Sequence, residues 1–140
     1  MSPQAISLRQ ELRELRVPAS TEMLFRVRDF AEAAAEAFGL SSRDRYRVKL
    51  AASEAAANAI EHGAPDSDGS IKLRVVCEGD SLAMYVSDAG SFATPAVDPD
   101  QWSERGRGLA FIAALMDEVE VTREGTGTLV RMAKRLPVAA

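Results

Sequence analysis

The amino-acid sequence predicts an α+β protein, a two-layer α/β sandwich in which helices cover one face of a mixed, mainly antiparallel sheet. Two amphipathic helices follow one another in the first half of the chain, and two strands near the middle are joined as a hairpin. Such pairing of like elements is typical of this class, whereas strands that alternate with helices indicate a parallel sheet. The length of 140 residues is that of a single domain, so we expect residues 1–140 to share one hydrophobic core.

The predicted elements begin with a strand and two helices. A weak alternation of apolar residues at about 11–17 favours a short strand over a helical lead-in. From about 20 to 38 the apolar residues recur at steps of three and four, which is the spacing of an amphipathic helix, and Gly39 ends it. Ser41 is a good N-cap for the second helix, which is predicted to run to His62.

The second half of the chain is predicted to be mostly strand, with one helix. A hairpin is indicated by apolar residues at every second position in two segments, 71–77 and 82–86, with Asp88 next in the second series. The remaining elements are a long loop at 91–105, a helix that opens at Gly106-Arg107-Gly108, a strand at about 118–122, and a last strand after Gly125-Thr126-Gly127. A structureless segment as long as this loop is usually functional in a compact domain.

Composition and charge exclude several classes of function. The net charge of -4 and the pI near 5.1 argue against a protein that binds nucleic acid or an anionic membrane by neutralising phosphates. Cys77 and His62 are the single cysteine and the single histidine, which excludes an intramolecular disulfide and disfavours a Cys/His zinc site. We find no apolar run of membrane-spanning length and no signal-peptide pattern, so we expect a cytoplasmic protein.

Glu54 and Asn58 are the first candidate functional residues. They are four positions apart on the second helix, so their side chains share one face. Alanines surround both, which allows a ligand to approach closely. A carboxylate and an amide on such a surface can meet a metal ion or a reacting hydroxyl. The spacing alone favours the alternative, a solvated polar face on an alanine-rich helix.

Asp88 is the second candidate, because strand alternation places it on the face that is predicted to be buried. A buried carboxylate needs hydrogen-bond donors, and a ligand amino group can be one of them. Gly90 follows two residues later and would let a ligand ring lie against the backbone. Thr128 shares parity with apolar neighbours, so its hydroxyl is placed to reach the same interior. An ordinary turn after Asp88 and ordinary β-propensity of Thr128 are the alternatives.

A phosphate site is predicted where a pair of glycines opens a helix. Gly106 and Gly108 expose backbone N–H groups at the positive end of the helix dipole, and Arg105 and Arg107 flank them. Two glycines at this spacing are also compatible with a flexible hinge before the helix. The Walker A pattern and the longer Rossmann glycine pattern are both absent from the sequence.

Together these motifs resemble the anti-sigma factor serine/threonine-protein kinases, the switch protein kinases of the GHKL (gyrase, histidine kinase, MutL type) ATPase superfamily. The resemblance covers about residues 16–136 and rests on the order of five motifs. These are Ser53-Glu54-Ala-Ala-Ala-Asn58-Ala-Ile-Glu-His62-Gly63, Asp88-Ala-Gly90, Glu104-Arg-Gly-Arg-Gly108-Leu-Ala-Phe-Ile, Met116-Asp-Glu-Val and Gly125-Thr-Gly-Thr128. It implies the GHKL, or Bergerat, ATP-binding fold with ATP or ADP and Mg²⁺ as cofactors.

The resemblance also implies roles for individual residues. Asn58 would coordinate Mg²⁺ that bridges the nucleotide phosphates, and Glu54 would accept the proton of a substrate serine. Asp88 would bind the adenine amino group, with Gly90 beside the ring and Thr128 in support.

The remaining implied roles concern the phosphates. Gly106 and Gly108 would bind them at the helix start, Arg105 would meet the terminal phosphate, and residues 91–105 would form the ATP lid. The adenine motif at 88–92 is shorter than usual in this family, and the glycine motif at 104–108 is one residue tighter than in some members.

The implied function is that of a protein serine kinase that is also an anti-sigma factor. It would sequester a sigma factor and phosphorylate a serine of a STAS-type anti-anti-sigma antagonist, as a homodimer and without direct contact to nucleic acid or membrane. Two alternatives stay open from the residues: a nucleotide-gated sequestering module without kinase activity, and the detached catalytic domain of a histidine kinase. Glu54 is the discriminating residue, because sequestration alone does not need it.

Overall fold

The computed structural model describes residues 12–62, 69–88, 108–124 and 127–137, which form one five-stranded sheet with helices on one face. The elements in chain order are β1 (Arg13–Pro18), α1 (Leu24–Ala37), α2 (Ser42–His62), β2 (Ser70–Glu78), β3 (Ser81–Ser87), α3 (108–115), β4 (Glu118–Glu124) and β5 (Gly127–Arg135). Each predicted element with described residues is present, and the α+β class is confirmed.

The strand order is β1-β2-β3-β5-β4, and all four pairings are antiparallel. The prediction of a mixed sheet is therefore right in its antiparallel part, and the described strands contain no parallel pair. The reason is that β5 turns back after β4 and inserts between β4 and β3, so each neighbour in the sheet runs in the opposite direction.

Local signals explain where the helices begin and end. A 3₁₀ turn at Thr21–Met23 precedes α1, and the Ser20 hydroxyl accepts a hydrogen bond from the Glu22 N–H at 3.3 Å. The helix therefore begins four residues later than the apolar spacing suggested. Gly39 follows α1 with a φ of 85°, a conformation that favours glycine and stops the helix. Ser41 caps α2 as predicted, because its hydroxyl accepts from the Asp44 N–H at 3.2 Å.

The core lies between the sheet and the helices. The inner faces of the central strands contribute Ile71, Leu73, Val75, Leu82, Met84, Val86 and Met132, all nearly inaccessible to solvent. The helices face them with Val27, Val48, Ile112 and a series of buried alanines on α1 and α2. Each large side chain buried in this way stabilises the fold by about 1.5–3 kcal/mol. The small alanines let α2 lie close to α1 and to the sheet, which positions the face that carries Glu54 and Asn58.

The outer face of the sheet carries a charged cluster centred on Arg131. Its guanidinium contacts Glu78 at 2.9 Å, Glu118 at 3.0 Å and Glu120 at 3.4 Å, and the Tyr85 hydroxyl donates a hydrogen bond to Glu78. The Tyr85 hydroxyl and Arg131 lower the pKa of Glu78 despite its partial burial. Burial, together with the hydrogen bond to Glu78, raises the pKa of Tyr85. The cluster ties β2, β3, β4 and β5 together on the face opposite the helices.

None of the described helices combines the length and the hydrophobicity of a membrane span.

Candidate functional site

The inner face of β3 ends in a buried acid. Asp88 follows the strand directly, shares the face of Met84 and Val86, and is only 2% exposed. Its carboxylate oxygen Oδ1 accepts a hydrogen bond from the Thr128 backbone N–H at 2.8 Å, and its own N–H donates to the Thr128 carbonyl at 3.3 Å. A fixed amide donor lowers the cost of keeping a carboxylate out of water. Asp88 and Thr128 thus meet as predicted, but through the Thr128 backbone rather than its hydroxyl.

Asp88 borders a pocket between the sheet and the helices α2 and α3. The pocket has about 450 Å³ of space that no atom occupies, part of it open to solvent. Its polar wall residues are Asn58, Asp88 and Thr128, and its apolar ones are Ala55, Ala59, Val86, Leu109, Val121 and Val130. A mostly apolar wall with one carboxylate suits a flat ring that donates a hydrogen bond from an amino group.

Glu54 and Asn58 lie against the first described residue of α3. A methyl group in place of the Gly108 hydrogen would lie 2.7 Å from the Asn58 side-chain nitrogen and 2.9 Å from the Glu54 Oε2 atom. Both distances are shorter than a normal contact, so the absence of a side chain at Gly108 permits this approach. The two polar side chains therefore converge at the start of α3, as their shared helix face predicts.

Asn58 belongs to both parts of the site. It lines the pocket that holds Asp88, and it contacts the helix start together with Glu54. A ligand whose ring occupies the pocket would thus direct any attached group past Asn58 towards Glu54 and Gly108. This geometry suits an elongated ligand with a ring at one end and a negatively charged group at the other, because helix N-termini favour anions.

The sequence pattern of the family described as "Histidine kinase-like ATPase domain" matches residues 17–134. The chain belongs to this family. The match spans every described strand and helix except the outer ends of β1 and β5, and it confirms the superfamily predicted from the five motifs.

Curated relatives within this family carry the name "Serine-protein kinase RsbW". The protein of that name from Bacillus velezensis is 35% identical over 136 residues, which cover 88% of this chain and 84% of the relative. The one from Bacillus subtilis is 34% identical over the same length and the same shares. These relatives confirm the predicted class, a protein serine kinase, and favour it over a sequestering module without kinase activity.

A solved structure agrees with this family assignment. The crystal structure of the RsbU and RsbW domains of Rv1364c from Mycobacterium tuberculosis matches with a TM-score of 0.70 and 25% identity. The match covers 91% of this chain but 32% of that longer one. The family fold therefore extends over almost the whole chain.

The donor atoms at the family site fit a magnesium ion. Asn58 offers an amide oxygen beside the start of α3, and Mg²⁺ prefers oxygen ligands. It is usually held by one or two protein groups together with substrate phosphates, rather than by a cage of protein ligands. No cluster of three or more His, Cys, Asp or Glu side chains suited to a metal occurs in the described ranges.

The structure brings together five of the eight predicted site residues: Glu54, Asn58, Asp88, Gly108 and Thr128. The other three, Gly90, Arg105 and Gly106, and the predicted lid at 91–105 lie outside the described residues, so their roles stay predictions.

Sequence reasoning missed two residues of this region. Val121 lines the pocket although it is 39% exposed, and Lys134 is buried near the far end of α3. Lys134 shares strand parity with Thr128, which was the available signal, whereas Val121 reaches the pocket by pairing with Val130 in the sheet. A lysine in that position is unusual, because lysines are almost never fully buried unless they are paired.

Proposed function

We propose that this protein is an ATP-dependent protein serine kinase and anti-sigma factor of a partner-switching pathway. It sequesters a sigma factor, and it phosphorylates a serine of a STAS-type anti-anti-sigma antagonist. The observation that carries the proposal is the position of Asn58, which joins the pocket of Asp88 to the carboxylate of Glu54. The names of the curated relatives support the kinase activity.

Nucleotide binding is assigned to the two ends of the site. The adenine amino group donates to Asp88 and the ring lies between the apolar walls, with Thr128 holding the acid and Gly90 beside the ring. The phosphates extend to the start of α3, where Gly106 and Gly108 offer backbone N–H groups. Bound Mg²⁺, held by Asn58, would compensate the phosphate charge.

Phosphate transfer is assigned to Glu54 and Arg105. Glu54 takes the proton of the substrate serine hydroxyl, whose oxygen forms a bond to the γ-phosphorus while the bond to the bridging oxygen of ADP breaks. Arg105 stabilises the charge on the transferred group. The new phosphate adds negative charge to the antagonist and weakens its binding, which leaves this protein free to bind sigma again. We propose that it does so as a cytoplasmic homodimer.

Glu54→Gln tests the kinase assignment. With labelled ATP and a STAS-type anti-anti-sigma protein from the same organism, we expect phosphoserine formation to fall at least 100-fold, since a general base contributes about 10²–10⁴-fold. ATP affinity should stay within about twofold, because glutamine has the same size.

Glu36→Gln is the matched control, because Glu36 is an exposed acid on α1 that does not line the pocket. It should transfer phosphate at the wild-type rate. Wild-type transfer by Glu54→Gln would refute the proposed base.

A further inference from the structure

Lys134 is a buried cation that the proposed reaction does not use. It lies on the inner face of β5 with its side chain 8% exposed, and no other basic side chain is buried among the described residues. Burial of an ammonium group is costly unless the charge is compensated. The contacts of Lys134 therefore indicate what it does.

Its ammonium group connects three elements. The Nζ atom donates a hydrogen bond to the Leu115 carbonyl at 3.0 Å, and it lies 3.7 Å from Asp44 Oδ1 and 3.7 Å from Asp117 Oδ1. Leu115 is the last residue of α3, where carbonyls have no partner within the helix and a cation is favourable. Asp44 is in the first turn of α2. Lys134 thus joins the end of α3 to the start of α2.

The other end of α3 lies at the functional site. Gly108, the first described residue of the helix, lies against Glu54 and Asn58 of α2. The eight described residues of α3 span about 10 Å, so this part of the helix is fixed relative to α2 at two separate points. Short helices are marginal alone and take their position from such contacts.

We propose that Lys134 is a positioning residue for the nucleotide phosphates. By holding the C-terminal end of α3 at the first turn of α2, it sets the position of Gly108 on Glu54 and Asn58. Loss of the ammonium would release that end of α3 and shift its start, while Asp88 and the pocket walls that belong to α2 and the sheet keep their positions. The proposal rests on the proposed function, because Gly108 is assigned to phosphate there.

Lys134→Met is a suitable variant because it removes the charge but keeps an unbranched chain. Neither carboxylate would be left without a partner, since Asp44 is also 3.2 Å from Arg47 and Asp117 accepts the Arg135 backbone N–H at 2.6 Å. The Asp44 and Asp117 side chains are 27% and 45% exposed, so the variant leaves neither as a buried unpaired charge, which is the case in which removing one partner is costly. The variant should therefore fold with a melting temperature close to that of the wild type.

The test compares ATP with adenosine by titration calorimetry in the presence of magnesium. In Lys134→Met we expect ATP affinity to fall about tenfold and adenosine affinity to stay within twofold, because adenosine lacks the phosphates that meet α3. A merely structural role would weaken both ligands together. Arg135→Met, an exposed neighbour on the opposite strand face, should leave both affinities unchanged.

A double-mutant cycle with Gly108→Ala tests the route through α3. The two changes lie at opposite ends of the helix, so additive effects on ATP affinity would mean that Lys134 does not act through Gly108. We expect the double variant to lose less than the product of the single losses. Equal weakening of both ligands, unchanged ATP affinity or additivity would each overturn the positioning role. A wild-type protein that binds neither ligand would refute the nucleotide pocket itself, a distinct result.

Discussion

Asp88 illustrates how one residue can set ligand specificity. Its carboxylate already accepts the Thr128 amide at 2.8 Å, and it is the acid in the described wall of the pocket. Asn can still accept that amide through its oxygen, but its NH₂ group would face the adenine amino group, donor against donor. We therefore expect Asp88→Asn to fold normally and to bind ATP about 10- to 100-fold more weakly, since hydrogen bonds to charged groups contribute about 1.5–3 kcal/mol.

Calorimetric titration with ATP measures this loss. Asp80→Asn is the control, because Asp80 is an exposed acid in the turn between β2 and β3. Unchanged ATP affinity in Asp88→Asn would show that the ring does not occupy this pocket.

At the residue scale, the periodicity of the sequence predicted which side chains are buried better than it predicted which residues they contact. Strand parity placed Asp88 on the inner face because alternation is a local property of the backbone. The partners of Asp88 and Lys134 lie 40 and 19 residues away in the chain, so strand register and helix docking decide these contacts. Gly108 was selected for its N–H group, whereas its contact with Glu54 and Asn58 depends on tertiary packing.

At the scale of elements, replacing Gly108 at the start of α3 by alanine is expected to have opposite effects on stability and on phosphate transfer. Alanine is the better helix former by up to about 1 kcal/mol, so Gly108→Ala should keep or raise the melting temperature. Its methyl group would nevertheless meet Asn58 at 2.7 Å and Glu54 at 2.9 Å, and these side chains must move. We expect phosphate transfer to fall at least tenfold while stability is maintained.

Thermal unfolding and a phosphate-transfer assay on the same preparation measure both effects. Ala110→Gly is the matched control, since it lowers helix propensity at an exposed position of α3 and should reduce stability without affecting transfer. Normal transfer by Gly108→Ala would mean that the approach of α3 to Glu54 and Asn58 is not needed.

Element boundaries show where local sequence ceases to determine structure. The end of α1 at Gly39 and the start of α2 at Ser41 follow from local backbone chemistry, and both were predictable. The start of α1 was displaced by the turn that Ser20 caps, because the same apolar spacing continues through a 3₁₀ turn. The insertion of β5 between β3 and β4 depends on pairing between distant segments, which no local pattern encodes.

At the scale of the whole molecule, the Arg131 cluster makes stability depend on pH. The pKa of Glu78 in the folded state lies below its ordinary value of 4.5. Its contribution to the free energy of unfolding is therefore present above pH 4.5 and is lost as the pH falls through the pKa of the folded state. The raised pKa of Tyr85 affects only the alkaline range. Arg131→Met leaves three glutamates without their shared cation, and we expect a loss of about 1 kcal/mol or less at pH 7.

This difference between wild type and Arg131→Met should shrink towards pH 3, as Glu78 becomes protonated. Urea unfolding at pH 7, 4 and 3 measures it, with Arg74→Met as the control. Arg74 forms a single pair with Glu14 on the same sheet face, and both are about half exposed. A difference that stays constant with pH would mean that these carboxylates do not carry the effect.

The proposed nucleotide site draws on α2, α3, β3, β4 and β5, so bound ligand should stabilise the whole fold. At about 100 times its dissociation constant, ATP adds about 2.7 kcal/mol, which corresponds to a rise of roughly 5–10 °C in melting temperature for a chain of this length. Because we propose that Asn58 holds magnesium, the rise in melting temperature of the wild type should be larger with magnesium than with a chelator. In Asn58→Ala we expect the same small rise under both conditions, because the pocket remains but the amide oxygen is gone. Asp80→Asn should behave as the wild type does. A magnesium dependence that survives in Asn58→Ala would place the metal ligand elsewhere.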